Sequence, residues 1–88
     1  MKKVRTQTFK LGKYYIHEGS SFDGMCDVPD GYERLNMYIL EGKTKRALVT
    51  AIHEAMHAEG IPDKYLDEDR DVAEHIGKFL FRLGWRRV

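Results

Sequence analysis

The spacing of the apolar residues changes at Gly42, and this change divides the chain into a strand-forming part and a helix-forming part. Before it, Leu35, Met37 and Ile39 stand at every second position, the period of a strand with one buried face. After it, apolar residues recur three and four positions apart, the period of an amphipathic helix. The chain is therefore predicted to be an α+β protein, with a small antiparallel sheet of two or three strands followed by two packed helices.

Three segments of the first part have strand-forming composition. Residues 6–17 carry aromatic and β-branched side chains that Gly12 interrupts, so we expect one strand with a bulge or bend at this glycine. Residues 25–28 are candidates for a short strand within a segment rich in Gly, Ser, Asp and Pro. The last strand begins at Leu35, continues through Leu40 and ends at Glu41 and Gly42.

The second part predicts two helices with recognisable end signals. Thr44 can cap a helix over residues 44–59, which Gly60 closes. A second helix begins near Asp67, a candidate cap, and stops at Gly84. We expect its apolar stripe to face the core, and that stripe consists of Val72, Ile76, Phe79, Leu80 and Leu83.

Size and charge narrow the class of protein. The chain has 88 residues, enough for one core, so we expect residues 1–88 to form a single domain. Its net charge of +1 offers no general excess of cations for nucleic acid. Cys26, the only cysteine, cannot form an internal disulfide, and the chain shows neither a signal peptide nor a membrane span. A cytoplasmic protein without membrane association is the expectation.

The pattern H-E-x-x-H occupies residues 53–57, inside the first predicted helix. Positions i and i+4 lie on one helix face, so His53 and His57 can bind a single zinc ion. Glu54 lies about 100° further round the helix, which suits a general base better than a third ligand. A zinc ion lowers the pKa of bound water toward about 7, and the glutamate then assists attack on a carbonyl. The expected reaction is hydrolysis, most often of a peptide bond.

A catalytic zinc site needs a third protein ligand, and the second helix is its expected source. With the apolar stripe turned to the core, His75 falls at the edge of the buried face, and imidazole binds zinc well. Asp71 is the next candidate ligand, or else a hydrogen-bond partner of His75. Glu74 is ranked last because it points away from the core. Cys26 is a candidate for a fourth ligand that would close the site.

Several segments outside the motif are similar to segments of a known group of sequences. They are residues 24–27 with Pro29, the strand around residues 37–39, and the terminal Arg-Leu-Gly-Trp-Arg of residues 82–86. Over residues 14–87 the chain resembles short zincin-like (SprT-like) HExxH metallopeptidases of the kind found in bacteriophage genomes. The resemblance implies a minimal zincin fold and a zinc site at the motif with a glutamate base. It also implies the host cytoplasm as location if a phage encodes the chain. An acidic residue is common in such sequences at the position of His75.

Three functional hypotheses follow from the sequence. The first is a minimal zinc metallopeptidase acting on a peptide or protein substrate. The second is a catalytically inactive binding or accessory module in which zinc holds the helices together, because a chain this short has little material for a substrate groove. The third and weakest is nucleic-acid binding through Trp85 and the basic residues near the end of the chain, Lys78, Arg82, Arg86 and Arg87. The sequence leaves the substrate and the oligomeric state open.

Overall fold

The structure is a computed structural model and describes residues 5–19, 24–29, 34–66 and 71–86. In chain order the elements are β1 (Arg5–Phe9), β2 (Gly12–Glu18), β3 (Gly24–Cys26), β4 (Leu35–Ile39), α1 (Lys45–Ala58), a 3-10 turn (Asp63–Tyr65) and α2 (Val72–Arg82). The predicted α+β class and its two helices are confirmed. No helix in the described part of the chain is long and apolar enough to cross a membrane.

The described strands form one mixed sheet in the order β1-β2-β4-β3. β1 pairs with β2, and β3 with β4, in antiparallel orientation, whereas β2 and β4 run parallel. The prediction of a purely antiparallel sheet with two or three strands is therefore wrong. Alternating apolar residues predict a strand but not the direction of its neighbour. Here the long connection through β3 brings the chain back to the end of the sheet at which β2 begins, as parallel pairing requires.

The segment predicted as one bent strand, residues 6–17, is instead a hairpin. Its turn lies at Lys10 and Leu11, and Phe9 pairs with Gly12 across it. Gly12 has a φ of +148°, and a Cβ there would lie 2.7 Å from Cδ1 of Leu35. Gly12 therefore ends the turn of the hairpin and does not form a bulge. A larger residue would not fit there, because its side chain would collide with Leu35 of β4.

The core lies between the sheet and α1. Tyr14 on β2 is fully buried, with Met37 and Ile39 of β4 and Ala58 of α1 packed around it. The Tyr14 hydroxyl donates a 2.7 Å hydrogen bond to the carbonyl oxygen of Asp27, so its one polar atom is satisfied. This bond ties the chain that follows β3 to the centre of the sheet.

Both ends of α1 are fixed by local contacts. Oγ1 of Thr44 accepts a hydrogen bond from the amide of Ala47, which confirms the predicted cap. At the other end, Gly60 has a φ of +78° and donates to the carbonyl of His57 at 2.9 Å. The amide of Leu11 donates to the carbonyl of Ala58 at 3.0 Å, so the β1–β2 turn holds this end of the helix. The motif therefore lies on a helix that is anchored at both termini.

The face that α2 presents to α1 differs from the prediction. Its buried residues are Ala73 and Gly77, and a Cβ at Gly77 would meet the side chain of Val49. The expected core residues Ile76, Phe79 and Leu83 are 40%, 61% and 62% exposed, so the predicted orientation is wrong. The two small residues let the helix backbones approach closely, and large side chains at these positions would hold them apart.

The start of α2 also differs from the prediction. The carboxylate of Asp71 accepts a hydrogen bond from the amide of Glu74 and caps the helix. Asp67, the predicted cap, lies outside the described residues. The observed cap places the first turn of α2 beside the middle of α1, next to the motif.

Candidate metal centre

The two motif histidines lie one turn apart on α1, and their rings converge. Nε2 of His53 and Nε2 of His57 are 3.1 Å apart. Two nitrogens bound to one tetrahedral zinc ion at about 2.0–2.1 Å lie about 3.3 Å from each other. The separation also suits a hydrogen bond between neutral rings, with one nitrogen donating and the other accepting. The separation of the pair is thus close to the spacing of two nitrogens on a shared zinc ion.

His53 is held in the form that can bind a metal. Burial is the main cause that lowers the pKa of its imidazole, and the neighbouring His57 lowers it further. The carboxylates of Asp71 and Asp63 act in the opposite direction and raise this pKa. Because a neutral imidazole keeps a free lone pair, the net lowering of the pKa favours metal binding near neutral pH.

Glu54 lies on the buried side of α1 and is 6% exposed. Burial raises the pKa of its carboxyl to about 7. A Cβ at Gly24 of β3 would lie 2.6 Å from Oε2 of Glu54 and 2.9 Å from Cγ2 of Thr50. A glycine at this position therefore leaves room for the carboxylate beside the sheet edge. Near pH 7 such a group can both accept and release a proton, which general acid–base catalysis requires.

Asp63 is a site residue that the sequence analysis missed. Its Oδ1 lies 3.6 Å from Nδ1 of His57, on the side of the ring away from His53. A carboxylate near the second ring nitrogen orients a metal-binding histidine and sets its tautomer. The closing turn at Gly60 brings Asp63 back to the helix end, since the amide of Ile61 donates to the carbonyl of Met56 at 3.0 Å. The sequence signal that could have identified Asp63 is its position shortly after Gly60, the residue that ends the helix.

Two concavities meet at the motif, and Gly24, His53 and Glu54 line both. The amino-side concavity, about 560 Å³, extends toward the amino end of α1 and is also lined by Lys45, Arg46, Val49, Thr50, Asp71 and Glu74. The carboxyl-side concavity, about 640 Å³, extends toward the other end and is also lined by Leu11, Met25, Cys26, Val28, His57, Gly60, Ile61, Pro62 and Asp63. Both volumes fall in the usual range of ligand sites, about 300–1,000 Å³.

The candidate ligands on α2 are distributed differently from the prediction. Asp71 and Glu74 line the amino-side concavity with His53, so the expectation that Glu74 points away from the core is wrong. His75 is exposed and lines a separate depression on α2 with Lys78 and Phe79. The structure does not bring His75 to the histidine pair. The physical reason is the rotation of α2, which turns its small residues rather than its apolar stripe toward α1.

Cys26, the candidate fourth ligand, lies on β3 and lines the carboxyl-side concavity with both motif histidines. Burial is the main cause that raises the pKa of its thiol, and the charges of Glu54 and Asp27 raise it further. A hydrogen bond with Tyr14 acts against this rise. The thiolate is the form that binds zinc, and the metal-free environment of Cys26 disfavours that form.

The site as it stands brings together a histidine pair and a buried glutamate, but not a complete set of ligands. Within the described ranges, no group of three or more His, Cys, Asp or Glu side chains is arranged to hold a metal ion. No family model matches the sequence, and no curated protein or solved structure gives a significant match.

Proposed function

We propose that this protein is a zinc-dependent hydrolase, a minimal metallopeptidase in which His53 and His57 hold the zinc ion and Glu54 is the general base. The observation that carries the proposal is the convergence of the two Nε2 atoms to 3.1 Å beside a buried carboxyl whose pKa is raised to about 7. A surface helix with unrelated histidines has no reason to bury the acid between them, because burying a charge costs free energy.

The side chains divide the chemistry between them. A bound zinc ion supplies a Lewis acid that polarises a carbonyl and lowers the pKa of a neighbouring water. Glu54 accepts a proton from the attacking water and returns it to the leaving amine, since its pKa of about 7 serves both directions. The Asp63 carboxylate lies 3.6 Å from Nδ1 of His57, beyond hydrogen-bond distance, and on closer approach it would orient that ring. The walls of the two concavities hold the substrate chain on either side of these groups.

In this proposal the third ligand is Asp71 rather than His75. Asp71 lines the amino-side concavity with His53, and its charge acts on the pKa of that imidazole. One of its oxygens accepts the capping hydrogen bond from the amide of Glu74, which leaves the second oxygen for a metal. Glu74, in the same concavity, is the alternative carboxylate.

The test combines metal content with turnover. Protein purified without added zinc should carry one equivalent, measured by elemental analysis, and His53→Ala should lose it. Asp71→Asn should weaken zinc binding at least tenfold, as loss of a ligand does, whereas His75→Ala should bind zinc like the wild type. Glu54→Gln should keep the metal and lose peptide hydrolysis by a factor of about 10² or more. Wild-type protein that binds no zinc would exclude the proposal.

The second candidate is a zinc-stabilised module without catalysis, and the position of Cys26 favours it. Cys26 lines the same concavity as His53, Glu54 and His57, and a thiolate brought to the ion from this wall would close the site. In that case Cys26→Ser would weaken zinc binding, and Glu54→Gln would change neither the metal content nor the function. In the peptidase Cys26→Ser leaves zinc binding intact, because the fourth position belongs to water.

A further inference from the structure

We infer that the outer face of α2, formed by Ile76, Phe79 and Leu83 with Trp85 beyond the helix end, binds the surface of an anionic lipid membrane. The protein lies on this surface without spanning it, and the apolar side chains reach the boundary between headgroups and acyl chains. The inference goes beyond the proposed function, because it uses neither a metal ion nor Glu54.

A row of large apolar side chains on α2 is exposed to solvent. Ile76, Phe79 and Leu83 follow one another at spacings of three and four positions, so they lie along one side of the helix. They are 40%, 61% and 62% exposed, and Trp85 is 64% exposed. Single exposed apolar residues are common, but a group of large ones on one helix and its end indicates an interaction surface.

Backbone contacts hold Trp85 at the same end of α2 as Leu83. Gly84 has a φ of +102°, and the amide of Trp85 donates a 3.1 Å hydrogen bond to the carbonyl of Leu80, so the chain turns back on the helix end. An indole ring combines a large apolar surface with one N–H donor, and tryptophan is enriched for this reason at the boundary between lipid and water. The exposed residue at this end is therefore of the type that the boundary favours.

Cations border the apolar row. A depression on α2 is lined by two of its apolar residues and three basic ones, namely His75, Lys78, Phe79, Arg82 and Leu83. Glu74, one turn before Lys78, forms an ion pair with it at 3.3 Å. From His75 to the last residue the sequence contains four lysines and arginines and no acidic residue. Such side chains attract anionic headgroups while their stems lie along apolar surface, so the charge of this face complements an anionic membrane.

The mixture of side chains favours lipid over nucleic acid as the anionic partner. Bases stack on aromatic rings, and they give aliphatic side chains such as Ile76 and Leu83 little to contact. An anionic bilayer presents phosphates above hydrocarbon, which matches cations beside a row that is both aliphatic and aromatic. The expectation of no membrane association rested on the lack of a spanning segment, and binding to the surface does not require one.

Trp85 is the only tryptophan of the chain, so tryptophan fluorescence reports directly on this face. Full-length protein is titrated at physiological ionic strength with vesicles of phosphatidylglycerol and phosphatidylcholine, and with vesicles of phosphatidylcholine alone. The anionic vesicles should shift the emission to shorter wavelength and bind at least about tenfold more tightly than the neutral ones. Brominated acyl chains should quench the emission. Unchanged emission with anionic vesicles at millimolar lipid would overturn the inference.

The double variant Phe79→Gln/Leu83→Gln locates the binding surface. It removes apolar area from two exposed positions and keeps good helix formers there, so binding to anionic vesicles should fall at least about tenfold. Circular dichroism checks that the helices are retained. Met25→Gln/Val28→Asn is the matched control, because it removes two apolar side chains that are 46% and 77% exposed and lie outside α2. It should bind like the wild type. Equal effects of the two double variants would refute the assignment to α2.

A single-stranded oligonucleotide, titrated under the same conditions, separates the two anionic partners. It should leave the emission of Trp85 unchanged. An oligonucleotide that alters this emission more strongly than the anionic vesicles do, with an affinity that falls steeply as salt rises, would assign the outer face of α2 to nucleic acid and overturn the inference.

Discussion

Glu54 affects both the stability of the fold and the proposed proton transfer. It belongs to the buried stripe of α1, and its neighbour His53 points to the other motif histidine. Burial of an ionisable group costs stability whenever the group is charged, and this cost appears as a raised pKa. The burial that suits Glu54 to proton transfer therefore also destabilises the folded state when the carboxyl is charged. Stability and turnover can be measured separately.

The first prediction concerns the pH dependence of stability in protein kept metal-free with a chelator. The pKa of Glu54 is raised from 4.5 to about 7 on folding, so the unfolded chain ionises first and the folded state loses stability as pH rises through this window. The loss amounts to at most about 3 kcal/mol, at 1.36 kcal/mol for each unit of pKa.

Glu54→Gln removes this titration, so its free energy of unfolding relative to wild type should rise between pH 5 and pH 8. Urea unfolding at both values measures it. His53, whose pKa is lowered by burial, is present in both proteins, so its titration cancels in the difference. Parallel pH profiles would show that the carboxyl is not desolvated.

Gly24 carries the second prediction at this scale. Gly24→Ala places a Cβ 2.6 Å from Oε2 of Glu54 and should cost about 1–3 kcal/mol, as overpacking does. Glu54→Ala in the same chain removes one of the colliding groups, so the double variant should lose less than the sum of the two single losses. Additive losses in a double-mutant cycle by chemical denaturation would argue against the close approach of β3 to α1.

At the scale of elements, the contact between α1 and α2 decides which residues reach the site. Ala73 and Gly77 let α2 lie close against Val49, and this rotation brings Asp71 and Glu74 into the amino-side concavity. The same rotation leaves Phe79 and Leu83 exposed. The small size of Ala73 and Gly77 therefore determines that Asp71 and Glu74 lie beside His53.

Gly77→Ala tests this contact. In an exposed helix the change would stabilise by about 1 kcal/mol through helix propensity. Here the added Cβ would lie 3.2 Å from Cα of Val49 and closer still to its side chain, so we expect a loss of about 1–3 kcal/mol instead. Val49→Ala should recover part of the loss in the double variant, measured by urea unfolding. Stabilisation by Gly77→Ala alone would show that the helices do not touch there.

At the scale of the whole molecule, a metal ion would link elements that are far apart in sequence. The chain has 88 residues and a small core, so the free energy of binding an ion between α1 and α2 would form a large part of the total stability of the zinc-bound protein. The sheet and the hairpin turn hold the carboxyl end of α1 without a metal, whereas the start of α2 depends more on the helix contact.

The corresponding prediction is a zinc-dependent melting temperature. At a free concentration of 100 times Kd, zinc should add about 2.7 kcal/mol, which for a domain of this size corresponds to a shift of about 10 °C or more. Differential scanning calorimetry with zinc and with chelator measures the shift. His53→Ala should abolish it and His75→Ala should retain it. Identical melting curves with zinc and with chelator would show that zinc does not bind to and stabilise the folded protein.

What the sequence determined by itself is what depends on short stretches of chain. His53 and His57 share a face because the geometry of any helix places i and i+4 together, and Thr44 and Gly60 mark the ends of that helix through bonds to residues within one turn. The strand at residues 35–39 follows in the same way from its alternation.

The tertiary structure alone decided the direction of β4 beside β2 and the face that α2 turns to α1. It thereby also decided that Asp71 and Glu74, rather than His75, line the concavity beside His53. The reason is that the direction of a strand and the face of a helix are set by how well two elements pack against each other. The best face of α2 is the one that fits Val49, and nothing in the periodicity of α2 itself contains the shape of its partner.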